Sequence, residues 1–101
     1  MGRAIRTEKA KADLLTIWEY IAQKGSPAVA TKFLRKLSAK IRLLSDSPAI
    51  GRSRSADLLV TGLRSFPVDN YVIYYFQDER GGIIIVRVFH SARDIEALLD
   101  E

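Results

Sequence analysis

Apolar residues in the N-terminal half of the chain recur with the period of an α-helix. In the first segment they stand at i, i+3, i+4 and i+7, at Leu14, Ile17, Trp18 and Ile21. This spacing puts them on one face of an amphipathic helix. The pattern predicts a helix from about Glu8 to Gln23, and Gly25 marks its end because glycine accommodates the backbone conformation that terminates helices.

A second amphipathic helix is predicted after a very short connection. Ser26 is a favoured N-cap, and Pro27 suits the first helical position, where its missing N–H is not needed. One apolar stripe then runs along the segment, at Ala30, Phe33, Leu34, Leu37, Ile41 and Leu44. The helix is expected to reach about Ser45 and to stop before Pro48. With so short a connection, the two helices should form an antiparallel hairpin.

The C-terminal half changes to runs rich in β-branched and aromatic residues. Three such runs, separated by the turn signals Asp69-Asn70 and Arg80-Gly81-Gly82, span 62–68, 71–76 and 83–90. This arrangement predicts a three-stranded antiparallel meander. The second and third runs contain continuous apolar stretches rather than alternation, so both faces of these strands should be covered. Strand parity in the last run places His90 with Val86 and Val88 on one face, and Arg87 with Phe89 on the other.

The remaining segments complete a single domain over residues 1–101. Ala4-Ile5-Arg6 is a possible strand at the edge of the meander. Residues 47–62 are a connector without clear periodicity, for which Leu58, Leu59 and Val60 could provide a local anchor. Ser91 and Asp94 have the spacing of a capping box, and a short terminal helix follows, with its apolar face at Ile95, Leu98 and Leu99. The predicted fold is α+β: an N-terminal strand, an antiparallel helical hairpin packed on a three- to four-stranded antiparallel sheet, and a short C-terminal helix.

Composition narrows the class of protein. The chain contains no cysteine, which excludes disulfide frameworks and thiolate zinc sites. It contains one histidine, His90, and neither a phosphate-binding nor a dinucleotide-binding glycine motif, so no metal and no cofactor is expected. No apolar run approaches the roughly 20 residues that span a bilayer, and the first residues lack the apolar core of a signal peptide. These features predict a soluble cytoplasmic protein.

Charge is distributed unevenly along the chain. Lysine and arginine outnumber the acidic residues sixteen to twelve, which gives a formal net charge of +4. No acidic residue lies between Glu19 and Asp46, a span that contains Lys24, Lys32, Arg35, Lys36, Lys40 and Arg42. The span is either a solvated helix face or a binding face for an anionic partner.

Candidates for catalysis are few. Arg64 on the first strand of the meander and His90 at the end of the last could converge on one side of the sheet. Arginine can hold a phosphate there and histidine can move a proton. The alternative is that His90 is a structural residue at a strand end, bonded to Ser91, Arg93 or Asp94.

Five segments carry a resemblance to a known family. They are 13–22 (DLLTIWEYIA), 47–54 (SPAIGRSR), 62–68 (GLRSFPV), 71–75 (YVIYY) and 88–94 (VFHSARD). In this order and at these separations they closely resemble ParE-type toxins of the RelE/ParE toxin–antitoxin superfamily. The resemblance covers nearly the whole chain and implies a helical hairpin packed on a small antiparallel sheet that includes the N-terminal strand.

The resemblance implies two alternative activities. ParE-like members are toxins of type II toxin–antitoxin modules that poison DNA gyrase and block replication, which makes them inhibitors rather than enzymes. On this preferred reading, Arg64, Arg93 and the C-terminal helix are candidate gyrase contacts. RelE-like members are ribosome-dependent mRNA endoribonucleases, and Arg64 with His90 would be the catalytic candidates. The usual basic and tyrosine or histidine residues near the end of such enzymes are not matched here. A third reading is a relic without toxicity.

The family also implies a protein partner. A ParD-like antitoxin would fold its disordered C-terminal segment onto the toxin and form a hetero-oligomer with it. Such segments alternate acidic and apolar residues, which suits the acid-free span. The antitoxin-binding candidates are Leu14, Trp18, Lys32, Arg35, Lys36 and Lys40.

Overall fold

The computed structural model describes residues 2–93. The helices and strands are β1 (Arg3–Arg6), α1 (Glu8–Lys24), α2 (Pro27–Asp46), a 3₁₀ turn (Pro48–Ile50), β2 (Arg52–Ser53), α3 (Ser55–Leu58), β3 (Arg64–Val68), β4 (Tyr71–Gln77) and β5 (Gly82–His90). Both long helices and all three strands of the meander are therefore confirmed. The predicted C-terminal helix, with Asp94, lies outside the described residues.

One sheet joins all the strands, in the order β1-β5-β4-β3-β2. The meander pairs antiparallel as predicted, whereas β1 lies parallel to β5. The expectation of three or four antiparallel strands was therefore short by one strand. The additional strand is β2, two residues of the connector that pair with β3. A strand so short has no periodicity from which it could be predicted.

Side-chain caps start both long helices where the sequence predicts. Thr7 Oγ1 accepts a hydrogen bond from Ala10 N at 3.1 Å, and Ser26 Oγ accepts one from Val29 N at 3.2 Å. These bonds satisfy backbone donors that the first turn of a helix cannot pair internally. Thr7 Oγ1 also donates to the carbonyl of Val86 at 3.1 Å, which ties the start of α1 to β5.

The helical hairpin covers one face of the sheet. The core between them consists of residues from both helices and from three strands, namely Ala10, Leu14, Ile17, Leu37, Ile41, Leu44, Val68, Ile73, Tyr75, Ile83, Ile85 and Val88. The opposite face carries a smaller cluster of Leu63, Tyr74 and Phe89, against which Leu58 and Val60 of the connector pack. Both faces of the central strands are thus covered, as their continuous apolar runs predict.

A β-bulge in β5 reverses the side-chain parity of the last strand. Tyr74 lies opposite Arg87 and Tyr75 opposite Ile85, so Val86 is an extra residue. An inserted residue shifts the alternation of all following side chains by one position. Val88 consequently lies in the helix-covered core and Phe89 on the other face. The predicted grouping of His90 and Val88 with Val86 was wrong for this reason.

Candidate functional site

A groove of about 350 Å³ opens between α1 and the end of β5. It is lined by Asp13, Thr16, Ile17, Tyr20, Tyr71, Val88, Phe89, His90 and Arg93. The α1 residues recur every three or four positions, so one side of the helix faces the groove. This mixture of apolar walls and a few polar groups is typical of a binding site. Of these residues, the sequence prediction named only His90 and Arg93 as site residues.

Asp13 is the acidic residue in the lining of this groove. Its carboxylate accepts hydrogen bonds from Arg87 Nε at 2.9 Å, from Arg87 Nη2 at 3.1 Å and from the Val88 backbone N–H at 2.9 Å. The bidentate pair is nearly buried, with side chains 12% and 13% exposed. Arg87 also lies 4.3 Å from the Phe89 ring centroid. Asp13 and Arg87 are 74 residues apart, so no local spacing reveals the pair.

Among residues 2–93, the strand edge beside the groove is unpaired beyond β1. β1 pairs with β5 only as far as Arg6 opposite Ile85, and within the described residues no strand lies beside 87–90. Because peptide groups alternate along a strand, those of Val88 and His90 point to this edge. Asp13 takes the Val88 N–H, and Arg93 N donates to the His90 carbonyl. The Val88 carbonyl and the His90 N–H also point to this edge.

The opposite edge of the sheet is protected. β3 continues past the two-residue β2, and its outward position at Pro67 has no N–H to donate. Proline at an edge prevents another strand from pairing there. Strand addition is therefore favoured at β5 and disfavoured at β3.

His90 has local partners at the end of β5. Its Nδ1 accepts the Ala92 N–H at 3.1 Å, and its ring meets the edge of Tyr71 at 5.4 Å between centroids. The side chain is exposed. His90 is therefore bonded locally at the strand end, as the structural alternative predicts. The donors are the backbone N–H groups of Ala92, to the ring, and of Arg93, to the His90 carbonyl.

Arg64 does not approach His90. Its Nη1 donates to the Gly51 carbonyl at 2.7 Å and to the Ala49 carbonyl at 3.4 Å, which fastens the turn before β2. Arg64 pairs with Tyr75 and His90 with Tyr71, four residues apart on β4 and on opposite sides of it. With about 3.3 Å per residue and about 4.8 Å per strand, the two Cα atoms are roughly 16 Å apart. The expected convergence of the two residues was wrong.

Tyr75 completes the contacts of this turn. Its Oη accepts the Gly51 N–H at 2.9 Å and donates to the Pro48 carbonyl at 2.7 Å. Burial is the main cause that raises the pKa of Tyr75 above its ordinary value of 10.0, and the Gly51 bond and Arg64 oppose it. Arg64 and Tyr75 are therefore engaged in holding the 48–51 turn against the sheet.

The predicted antitoxin contacts divide into exposed and internal residues. Lys32 and Arg35 are exposed, Lys40 is half-buried, and Lys36 Nζ binds Asp69 Oδ1 at 2.8 Å. Lys32, Lys36 and Lys40 recur every fourth residue and form one row on α2, here called the lysine row. Leu14 is different, because its side chain is buried against the sheet.

Trp18 lies between the two long helices. Its Nε1 donates to Thr31 Oγ1 at 3.2 Å, which joins α1 to α2, and its side chain is half-buried. The indole edge is thus accessible, whereas its N–H already has a partner. Of the two apolar candidates, only Trp18 reaches the outer surface of the helical hairpin.

A second site, which is rich in arginine, lies at the β2 edge of the sheet. A cavity of about 370 Å³ is lined there by residues that include Arg52, Arg54 and Ser65. Arg54 binds Asp57 at 2.8 Å and Ser65 Oγ at 3.2 Å, and its guanidinium lies 5.8 Å from the Tyr74 ring centroid. The hydrogen bond from Arg54 is the main cause that lowers the pKa of Asp57 below 3.8.

Two classes of site are not found in the described part of the chain. No group of three or more His, Cys, Asp or Glu side chains within residues 2–93 is arranged to hold a metal ion. No helix in the same range combines the length and apolar character needed to cross a membrane.

Comparison with known proteins identifies relatives over nearly the whole length. The model of the family described as "ParE toxin of type II toxin-antitoxin system, parDE" matches residues 4–95. Toxin ParE1 of Caulobacter vibrioides is 30% identical over 93 residues, which cover 92% of this chain and 93% of that protein. Toxin ParE1 of Mycobacterium tuberculosis is 28% identical over 95 residues, covering 94% and 95%. Toxin RelE2 of Caulobacter vibrioides is 34% identical over 93 residues, covering 92% and 99%.

A solved structure shares the fold. The structure titled "Chromosomal ParDE TA system from P. aeruginosa" superposes with a TM-score of 0.74 at 22% identity, covering 89% of this chain and 96% of that chain. It has the same arrangement of helical hairpin and sheet, as the resemblance implies. Together with the match over residues 4–95, these relatives show that the chain belongs to the ParE family of toxins of type II toxin–antitoxin systems.

Proposed function

We propose that this ParE-family toxin inhibits cell growth in the cytoplasm by binding and poisoning DNA gyrase, and that it acts as a protein ligand rather than as an enzyme. The observation that carries this proposal is family membership across residues 4–95 combined with the separation of the two catalytic candidates. RNA cleavage without a metal needs an acid, a base and cations at one phosphate.

The contacts of the two candidates support binding over catalysis. The Arg64 guanidinium donates hydrogen bonds to backbone carbonyls, and His90 Nδ1 accepts one from a backbone N–H. Their Cα atoms are roughly 16 Å apart, and each side chain is engaged by backbone groups near its own strand rather than directed at the other. Of the two candidate gyrase contacts, Arg93 is exposed beside the groove, whereas Arg64 is half-buried. Arg93 is therefore the better placed of the two to touch a large partner.

A gyrase assay tests this activity directly. Purified protein, gyrase, ATP and relaxed plasmid should yield cleaved or incompletely supercoiled DNA, and Arg93→Glu should weaken the effect. Arg64→Glu is not a useful contact variant because it would release the 48–51 turn. Normal supercoiling at a large excess of the toxin contradicts the proposal.

One relative favours an alternative that the same preparation can test. Toxin RelE2 of Caulobacter vibrioides is 34% identical to this chain, so mRNA cleavage on ribosomes is the second candidate function. Ribosomes programmed with a defined mRNA should leave the transcript intact on the gyrase reading. Cut transcript that disappears with His90→Ala would establish the alternative.

We further propose that a ParD-like antitoxin neutralises the toxin as a hetero-oligomer. The open edge of β5 and the adjoining groove would accept an extended apolar segment, because such edges pair with peptide backbone. The lysine row and Arg35 would attract the acidic residues of the same segment. Leu14 would act only by supporting α1, since it is buried.

Charge reversal tests the electrostatic part of this interaction. Changing Lys32, Arg35 and Lys40 to Glu should weaken binding of the antitoxin encoded in the neighbouring reading frame and flatten its salt dependence. Reversal of three exposed cations elsewhere, Arg3, Arg6 and Arg80, is the matched control. Equal affinities for the two triple variants in a titration would remove Lys32, Arg35 and Lys40 from the interface.

A further inference from the structure

We propose that Leu59, in the loop between α3 and β3, inserts into an apolar pocket bordered by carboxylates on the protein that this toxin inhibits. The inference rests on the proposed function in one respect, namely that the chain acts by binding a protein target. It identifies a target-contacting side chain on a surface separate from the groove beside β5.

The loop that carries Leu59 is held in place by several hydrogen bonds. The Gly62 N–H donates to Ser55 Oγ at 3.0 Å, and the Arg54 N–H donates to the Leu63 carbonyl at 2.7 Å. The Leu63 N–H in turn donates to the Val60 carbonyl at 3.1 Å. These hydrogen bonds therefore hold the loop in a defined conformation at the surface.

Leu59 projects from this braced loop into solvent. Its neighbours Leu58 and Val60 pack against the apolar cluster around Tyr74, whereas Leu59 is 86% exposed. The sequence prediction treated all three as an anchor for the connector, and only Leu58 and Val60 serve in that way. A leucine this exposed contributes little burial to the fold.

The backbone of Leu59 makes the choice of leucine more unusual. It ends α3 with φ 57° and ψ 30°, in the left-handed region. That conformation has a structural reason, because it commonly terminates a helix. Glycine or asparagine normally occupies it, since a side chain with a bulky Cβ substituent is strained there. The fold thus explains the conformation at position 59 but does not explain a leucine.

Strain combined with exposure points to an external contact. Strained residues cluster at functional sites, and a side chain on a loop that is already ordered costs less conformational entropy to bury against a partner. A single exposed leucine would need no explanation on its own. Strain together with exposure does need an explanation, because a change from leucine to asparagine would remove both the strain and the exposed apolar surface.

The charges around the loop indicate what surrounds the partner's pocket. Arg52 and Arg54 share one carboxylate, Asp57, with Nη2 atoms 3.8 Å and 2.8 Å from its Oδ2. Two cations against one anion leave a net positive charge in the segment that leads into Leu59. An apolar pocket with acidic residues at its rim is the complementary surface. This loop lies at the β2 edge, whereas the groove lies beside β5 at the other side of the sheet.

The test is the substitution Leu59→Asn, because asparagine tolerates the left-handed region and removes the apolar side chain. Relief of strain should raise Tm, by up to roughly 4–8 °C. The variant should keep wild-type affinity for the antitoxin. Growth arrest on induced expression should need at least tenfold more toxin, and gyrase inhibition should weaken by the same factor. Leu59→Met, which keeps an apolar side chain, should retain most of the toxicity.

Leu15→Gln is the matched control, since Leu15 is 61% exposed on the regular backbone of α1. It should leave growth arrest unchanged. Full toxicity of Leu59→Asn would overturn the inference, and so would loss of toxicity accompanied by a lower Tm and lost antitoxin binding, which is the signature of a structural role. A wild-type dimer that becomes monomeric in Leu59→Asn, with toxicity unchanged, would assign the residue to a second copy and also overturn it.

The readouts separate this inference from the gyrase proposal. Growth arrest that depends on Leu59, with gyrase unaffected by the wild-type toxin, would remove gyrase as the target and leave Leu59 as the contact. Gyrase inhibition that is the same for wild type and Leu59→Asn would keep gyrase as the target and remove Leu59 as the contact. A wild-type chain that binds antitoxin but arrests no growth would overturn both.

Discussion

Removal of the Asp13 carboxylate should destabilise this toxin more than loss of any exposed ion pair. In Asp13→Ala the Arg87 guanidinium loses both bonds of a bidentate pair, and the Val88 N–H loses its acceptor. Breaking a buried ion pair typically costs about 3–5 kcal/mol, because the remaining charge stays desolvated after losing its carboxylate. The side chains here are 12% and 13% exposed, which favours the lower end, about 3 kcal/mol.

That loss is large for a chain of this size. A domain of 101 residues has a free energy of unfolding of roughly 5–15 kcal/mol. A loss of about 3 kcal/mol should lower Tm by roughly 12–24 °C. Urea unfolding followed by the fluorescence of Trp18, the single tryptophan, measures the change directly. Trp18 lies on the same helix as Asp13 and donates a hydrogen bond to α2, so its fluorescence should report the separation of α1 from α2.

Two further variants make the reasoning refutable. Lys36→Met removes a pair whose side chains are 49% and 51% exposed, and it should cost less than about 1 kcal/mol. Asp13→Leu combined with Arg87→Met removes both charges of the pair and should recover much of the loss, because neither charge then has to be desolvated. A cost for Asp13→Ala no larger than that for Lys36→Met would refute the role given to the buried pair.

Other predictions follow from the caps, the 48–51 turn and the buried tyrosines. Thr7→Ala should lower the free energy of unfolding by about 1–2 kcal/mol in urea titrations, because Thr7 caps α1 and also donates to β5. Tyr75→Phe should lower it by about 1–3 kcal/mol, since it leaves the Gly51 N–H and the Pro48 carbonyl without partners, and an unchanged midpoint would contradict this. Burial raises the pKa of both Tyr71 and Tyr75 above 10.0, so their contribution to stability is complete below that pH and is lost as the pH rises through the higher folded-state values. Stability measured from pH 9 to pH 12 should therefore fall less steeply for Tyr71→Phe than for wild type.

The candidate site was predictable only in fragments. The sequence identified His90 and Arg93 at one end of the groove, but the inferred pairing of Arg64 with His90 failed because strand parity and length alone do not give the distance across a sheet. Asp13, Tyr20 and Tyr71 had no signal as site residues, although the spacing of Asp13, Ile17 and Tyr20 places them on one side of α1. Leu59 was predicted as an anchor and instead points outward, because its backbone turns into the left-handed region after α3.

The sequence by itself determined the elements whose formation depends on neighbouring residues. Helical periodicity, the cap at Ser26 and the turns between the strands are local, because each arises from residues within a few positions of one another. The tertiary structure alone decided the parallel pairing of β1, the short β2, the bulge at Val86 and the Asp13–Arg87 pair. These features depend on contacts between segments far apart in the chain, and hydrophobic patterns record which side of a segment is buried but not what it is buried against.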